Sequence, residues 1–334
     1  MIVTNIPDWR VTLDGVDLTD RIRPRLVSLS LSEKRGDEAD QLDIVLSDAD
    51  GQLAIPPEGA VLRVHLGWRQ GSDVIPGLID KGAFKVDDVT HSGPPDQIAI
   101  KARAVDFTSD IRNRRSHSWR RTTLGAVLQA VAGRNGLTAR VAADLGAISL
   151  PAVHQSRESD IAFLRRLGRE HDAVATIKAG TLIFARTGAG RTTSGQSLPT
   201  IALTRRSGDG HNWQRQKREE QKGVTATWQD RRAAKRQAVT VGAADGAKRL
   251  RRVYPDEASA RRAAEAERAR LARAPATLDM QLTLGRPDAF PEARVTASGF
   301  KPEIDATTWL ISEVTHRLDK SGGFRTDLRM ETAG

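Results

Sequence analysis

Apolar residues recur at every second position through the first hundred residues. Val27, Leu29 and Leu31 alternate with Ser28, Ser30 and Ser32. Leu42, Ile44 and Leu46 repeat the pattern, as do Leu62, Val64 and Leu66, and then Ile98, Ile100, Ala102 and Ala104. A period of two places one set of side chains on one face of a strand. Val11-Thr12-Leu13 and Val16-Asp17-Leu18 flank Asp14-Gly15, the residue types of a two-residue hairpin turn. Asp50-Gly51, Pro56-Pro57 and Gly93-Pro94-Pro95 separate the runs. Short strands in succession, with no helical segment between them, predict a barrel or sandwich over residues 1–107.

The period then changes. Leu124, Val127, Leu128 and Val131 share one helical face; Thr122 or Thr123 can cap that helix and Asn135-Gly136 can end it. A second helix is predicted over residues 156–171. Ile161, Leu164 and Leu167 form its apolar stripe beside Phe163, with Glu158 and Asp160 in the first turn and Arg165, Arg166 and Arg169 toward the end, as the helix dipole favours. Runs at 174–177 and 182–184 read as short strands, so residues 108–190 are expected to form an α+β helical module. Strand-like runs return at 224–228, 239–241, 278–284, 295–297, 309–318 and 324–330, giving a second β domain over 191–334. A stretch near 256–273, rich in Ala, Glu and Arg, predicts a solvated helix inserted there and ended by Pro275.

The two β domains resemble each other. Phe84-Lys85-Val86-Asp87-Asp88-Val89-Thr90-His91 aligns with Trp309-Leu310-Ile311-Ser312-Glu313-Val314-Thr315-His316. Phe84 matches Trp309, Val86 matches Ile311, Val89 matches Val314, and His91 matches His316. The flanks follow in order: the run from Val64 to Trp68 against that from Val295 to Phe300, then Ile98, Ile100 and Ala102 against Phe324, Thr326 and Leu328. An internal duplication, two similar barrels with the helical module between them, accounts for this order.

The residue patterns of catalysis are missing. The chain has no Cys, which excludes disulfides, thiolate nucleophiles and Cys-based zinc sites. None of the seven His forms a His-Glu-x-x-His or an i, i+4 pair, so no metal or other cofactor is expected, and His91 and His316 read as strand-end residues of the repeat. Asp87-Asp88 is replaced by Ser312-Glu313 in the second copy, which suits a solvated edge and not a glycosidase pair. Gly190 to Ser197 has Gln196 where a phosphate-binding loop needs Lys, and reads as a flexible loop. The net charge of +10 raises nucleic-acid binding. Arg112, Arg114, Arg115, Arg120 and Arg121 surround His117 and Trp119, and Arg215, Lys217, Arg218 and Lys222 lie near Trp213. Aromatics make up only 4% of the chain and no nucleic-acid motif accompanies the clusters, so no specific nucleic-acid partner is expected. The first ten residues lack a secretory pattern and no run reaches a membrane span, so synthesis in the cytoplasm without stable membrane insertion is expected.

Residues 155–171 carry the pattern Glu158-Ser159-Asp160-x-x-Phe163-Leu164-x-Arg166-Leu167. This pattern resembles the Glu-Ser-Asp helix of phage late control protein D and of the related valine-glycine repeat (VgrG) proteins of contractile injection systems. Glu38 to Ile44, Gly82 to Val89, Ser118 to Leu124, Trp309 to His316 and Gly323 to Glu331 are similar to further stretches of that family. The resemblance runs in order along nearly the whole chain and is weakest over 205–252. It implies a mainly β fold of two related tube-protein-like barrels with α+β insertions. It also implies a non-enzymatic baseplate hub of a contractile tail, adapting a six-fold tail tube to a three-fold spike. The implied partners are two further copies in a homotrimer, the tail tube protein, a spike protein and other baseplate proteins. VgrG proteins continue into a needle; this chain ends at Gly334, so the spike is expected to be a separate polypeptide. The competing readings, a cell-wall-degrading tail enzyme and a phage DNA-binding protein, rest on no motif and on charge alone, respectively.

Overall fold

The computed structural model describes residues 3–36, 39–105, 109–178, 180–215, 223–230, 233–273 and 276–333. With 54% of residues in strands and 19% in helices, the fold is mainly β. The first unit contains β1 (Ile6–Leu13), β2 (Val16–Asp17), β3 (Leu26–Lys34), β4 (Gln41–Ser47), β5 (Val61–Gln70), β6 (Gly77–Ser92) and β7 (Gln97–Ala104). Its alternating residues behave as their spacing requires: Leu29, Leu31, Leu42, Ile44, Leu62, Val64, Leu66 and Ile98 are all buried in one core. Burying each such side chain contributes about 1.5–3 kcal/mol. Asp14 and Gly15 take positive φ in the β1–β2 turn.

The middle segment builds its own core. It contains β8 (Arg114–Thr123), the helix Leu124–Arg134, β9 (Thr138–Val141), β10 (Ser149–Ser159), the helix Asp160–Glu170, β11 (Ala173–Lys178) and β12 (Thr181–Arg186). Thr123 caps the first helix by accepting from the Ala126 amide, and Gly136 leaves its far end at positive φ. The second helix begins at Asp160, four residues later than its sequence pattern suggested. Residues up to Ser159 stay in β10 because they pair with β8, Glu158 opposite Arg115 and Ser159 opposite Arg114. Glu158 therefore lies in a strand, and Ser118 to Thr123 is strand as well.

The last segment contains β13 (Thr200–Thr204), β14 (Gly208–Arg215), β15 (Gly223–Asp230), β16 (Lys235–Gly242), β17 (Lys248–Tyr254), the helix Glu257–Ala272, β18 (Ala276–Leu282), β19 (Arg294–Ser298), β20 (Thr308–Asp319) and β21 (Gly323–Thr332). The Glu257 helix is not solvated all round. Ala260, Ala263 and Ala264 are buried against Val224, Ala226, Val239 and Tyr254, forming a fourth core with the sheet β16-β15-β17. Small side chains let that helix lie close on the sheet, so an alanine stripe serves as a core face. Pro275 lies outside the described residues.

The strand order exposes the repeat. The first unit runs β1-β5-β6-β7-β4-β3, and the second runs β13-β19-β20-β21-β18-β14, which is the same path in the same chain order. Two β-bulges recur at equivalent places. One lies between Val86 and Asp88 in the first unit and between Ile311 and Glu313 in the second. The other lies between Leu26 and Ser28, and again between Gly208 and Gly210. One strand departs: β1 is antiparallel to β5, whereas β13 is parallel to β19. The ladders also correct the alignment of the flanks. Val89 faces Ile100 where Val314 faces Leu328, and Phe84 faces Leu62 where Trp309 faces Val295. The flanking matches are therefore shifted by two residues from the sequence alignment. Among the described residues the hydrogen-bonded path through both units is open and does not close into two barrels.

Candidate assembly site

The two units are joined by a strand seam. β20 is longer than its first half needs: residues 308–310 pair with β19, and residues 313–319 pair with β3 of the first unit. The far end of the β20–β21 hairpin delivers Leu318 and Phe324 into the first unit's core. There the Phe324 and Trp68 rings lie 5.4 Å apart, and Trp68 Nε1 donates to the Gly285 carbonyl at 2.9 Å.

A buried charge cluster sits on this seam. Glu33 of β3 receives Lys81 Nζ at 2.7 Å and Lys178 Nζ at 3.3 Å. His316 Nε2 is 3.3 Å from the same carboxylate but off the line of a hydrogen bond, while Nδ1 meets Thr326 Oγ1 at 2.9 Å. Burial opposes ionisation of Glu33, but His316, Lys81 and Lys178 outweigh it and hold the carboxyl well below its usual range. Burial, with the Lys81 charge, pushes His316 down to about 4, so its ring is neutral near pH 7. Glu33 thereby ties together β3, β6, β11 and β20, from both units and the middle segment. His316 is thus a buried mid-strand residue and not a strand-end one, whereas its counterpart His91 is exposed near the end of β6.

The Glu158-to-Leu167 pattern acts as one unit around a buried carboxylate. Ser159 caps the helix by accepting from the Ala162 amide. Asp160 is 0% exposed. It accepts two bonds from the Arg134 guanidinium, one from Asn135 Nδ2 at 2.8 Å and one from Gln155 Nε2 at 2.7 Å. Phe163 stacks on Trp119 with centroids 5.2 Å apart. Arg166 bridges Glu158 and Glu170, donates to the His154 carbonyl, and covers the Phe163 ring. Leu164 and Leu167 are buried within the middle segment's own core. Sequence reasoning had no signal for Arg134, Asn135 and Gln155 as partners of Asp160, because they come from other elements. We expect Leu164→Ala or Leu167→Ala each to cost about 2–5 kcal/mol. Chemical denaturation followed by far-UV circular dichroism reads this directly.

The duplicated strands differ in what covers them. Val86 and Phe84 are buried, as are Ile311, Val314 and Trp309, but Val89 is only partly covered. The edge of β6 beyond Lys85, on the side away from β7, has no strand partner among the described residues; neither has the outer edge of β14. Asp87 and Asp88 are exposed at the bulge, each beside a basic residue of β7, Arg103 at 3.0 Å and Lys101 at 3.9 Å. These strands turn polar side chains outward across the sheet. One concavity of about 440 Å³ lies over Asn212, Gln281, Thr315, Arg317, Asp327 and Arg329.

The basic clusters offer no base-stacking platform. Trp119 is occupied by Phe163 and Arg134, and Trp213 packs on the second unit's core. Lys217, Arg218 and Lys222 lie outside the described residues. Gly190 to Ser197 closes on itself, with Thr192 N bonded to the Gln196 carbonyl and Leu198 N to the Gly190 carbonyl. No group of three or more His, Asp or Glu among the described residues could hold a metal ion, and no described helix is long and apolar enough to cross a membrane.

Among the described residues, open strand edges and polar sheet faces lie outward while buried ion pairs join the units, and open edges suit a part that assembles with others. Comparison with known proteins agrees. A probable baseplate hub protein of Escherichia phage 186 is 40% identical, the match covering 97% of this chain and 92% of that protein. The 43 kDa tail protein of prophage MuSo2 from Shewanella oneidensis shares the fold with a TM-score of 0.68 at 14% identity, covering 98% of each chain. An E. coli component of the type VI secretion system, described as structurally similar to T4 bacteriophage tail proteins, superposes with a TM-score of 0.59 at 13% identity, covering 96% of this chain and 76% of that one. Residues 39–322 match the phage tail baseplate hub (GPD) family, whose members are structural parts of the virion tail and not enzymes, and the chain belongs to that family.

Proposed function

We propose that this hub works as a ring of three chains, each contributing two tube-protein-like units, so that six similar units meet a six-fold tube on one side and a three-fold spike on the other. The supporting observation is the seam. Within one chain, β20 of the second unit pairs with the outer edge of β3. By the repeat, β6 is the counterpart of β20 and β14 the counterpart of β3, and the edge of β6 beyond Lys85 and the outer edge of β14 have no strand partner among the described residues. Joining β6 of one copy to β14 of the next repeats the internal seam between chains. The register carries over. Thr315 faces Ser32 and His316 faces Leu31 inside the chain, so Thr90 faces Gln214 and His91 faces Trp213 between copies. Three such joints close the ring and leave no exposed edge to template aggregation.

The spike and the tube protein are separate partners in this reading, and the motif residues Glu158 to Leu167 hold the middle segment rigid between the two units. Residues 1–107, 108–190 and 191–334 serve as its three working divisions, with the sheet of β15 to β17 and the Glu257 helix inserted where the first unit has only the β3–β4 turn. Gly36, at φ +52°, packs close to β11, where a Cβ would meet Val174 at 3.1 Å.

A cysteine-free chain makes the joint testable. We expect the Thr90→Cys, Gln214→Cys double variant to give a covalent trimer in assembled tails under mild oxidation, because directly opposed strand residues lie about 4.5–5.5 Å apart. Each single variant should give none. Assembled tails that contain a copy number other than three, or that do not cross-link at this pair, overturn the ring.

A further inference from the structure

We propose that the cleft between the middle segment and the second unit is a docking site for an acidic, extended peptide segment of another protein, carrying one large apolar anchor. The cleft is a cavity of about 270 Å³. Its floor is the face of β11 and β12 that points away from their core, with Val174, Ile183 and Ala185 half-buried there. Leu198 and Phe290 add to its apolar lining. The wall segment is held firmly: Glu292 accepts from the Gly188 amide at 2.7 Å, and Arg294 donates to the Gly188 carbonyl at 2.7 Å. A cavity of this size and lining takes a side chain as large as leucine or phenylalanine.

Charge selects the flanks of that anchor. Six basic side chains line the cavity and Glu292 is the single acid among its lining residues. Arg35, Lys178 and Arg186 already meet carboxylates of this chain. Arg140 and Arg191 are exposed at the rim and no described acidic group pairs with them. Two free guanidiniums beside an apolar cavity recognise carboxylates next to the anchor, bidentately and at short range.

An extended segment fits better than a compact ligand for a second reason. The cavity meets a shallower concavity of about 470 Å³ at Arg140 and Thr193. Ala139, Arg140 and Val141 of β9 line that second space, and β9 is the end strand of its three-stranded sheet. A peptide backbone lying there finds unpaired strand groups to bond while its anchor sits in the cavity. The site is distinct from the β6 and β14 edges, so it stands or falls independently of the ring.

The test uses the full-length chain and a displayed library of random decapeptides. Enriched sequences should be acidic with a single Leu, Ile, Phe or Met, and a labelled winner should bind saturably in fluorescence polarisation. Arg140→Glu with Arg191→Glu should weaken that peptide by roughly tenfold or more, and Ala185→Trp, which fills the cavity from a half-buried position, by a similar factor. Both variants should keep the wild-type circular dichroism spectrum and still assemble into tails. A winner whose anchor is changed to Ala should lose binding likewise. No enrichment, enrichment of basic or anchor-free sequences, displacement of the peptide by a single-stranded oligonucleotide, or indifference to Ala185→Trp overturns the proposal.

Discussion

Asp160→Ala is expected to cost about 3–5 kcal/mol, because it strands three donors in a closed interior. The carboxylate is fully buried, and Arg134, Asn135 and Gln155 all donate to it. Arg134, whose side chain is 24% exposed, keeps one further bond, to the Gln155 side-chain oxygen, so most of the cost falls on the buried Asn135 and Gln155. The loss should be local. Residues 111–184 hold a core of their own, so hydrogen exchange should accelerate there while β3, β4 and β7 keep their protection. Asp160→Asn should fall between wild type and Ala, since an amide retains an acceptor oxygen but loses the charge. Hydrogen exchange read by mass spectrometry checks both variants. Uniform destabilisation of all segments would mean that the four cores unfold as one.

Glu33→Ala is expected to have the second large effect, again about 3–5 kcal/mol, and a different distribution. It leaves Lys81, whose side chain is 4% exposed, with only the Ala289 carbonyl. Lys178 keeps Asp40 at 3.4 Å. The seam between β3 and β20 should loosen, so proteolysis is expected to separate the two units before either unfolds. The pH dependence of the intact protein follows from the same cluster. His316, and also the buried His171, are each pushed down to about 4 in the fold, chiefly by burial. An unfolded chain protonates histidine near 6.5. Between these values the unfolded state binds more protons, so stability falls as the pH drops from about 6.5 toward 4. Glu33 acts with the same sign at lower pH: its carboxyl is depressed in the fold, so its contribution is intact above the ordinary carboxylate range and is lost as the pH falls through that range and below it. Urea titrations at pH 7.5 and pH 4.5 should show the loss, and His316→Asn should make it smaller. An unchanged slope in that variant would place the pH dependence elsewhere.

The hub reading was legible in the sequence because its carriers are local. The Glu158-to-Leu167 pattern is a strand end, a Ser159 cap and two helical turns with an apolar stripe, all within ten residues. The strands of the first unit were legible because aliphatic residues recur there at every second position, against serine in β3. Strands β14 and β17 were not, since Gly208, Gly210 and Asn212 in one and Arg249, Arg251 and Arg252 in the other carry no apolar alternation; neighbours in the sheet hold them extended. Nothing local to Trp119 shows that Phe163, forty-odd residues on, stacks against it.

Period and capping chemistry thus located by themselves the main strands of the first unit and the two capped helices of the middle segment, with the apolar face of each. They could not set the register of the repeat, because a strand with period two presents the same face after a slip of two residues, and only the cross-strand ladders and their shared bulges distinguish the alternatives. Nor could they show that β20 leaves its own unit to pair with β3, or that Glu33, Lys81, Lys178 and His316 converge. Those contacts join residues up to 291 positions apart by sequence numbering, from Ser28 to Asp319, and only the packed chain brings them together.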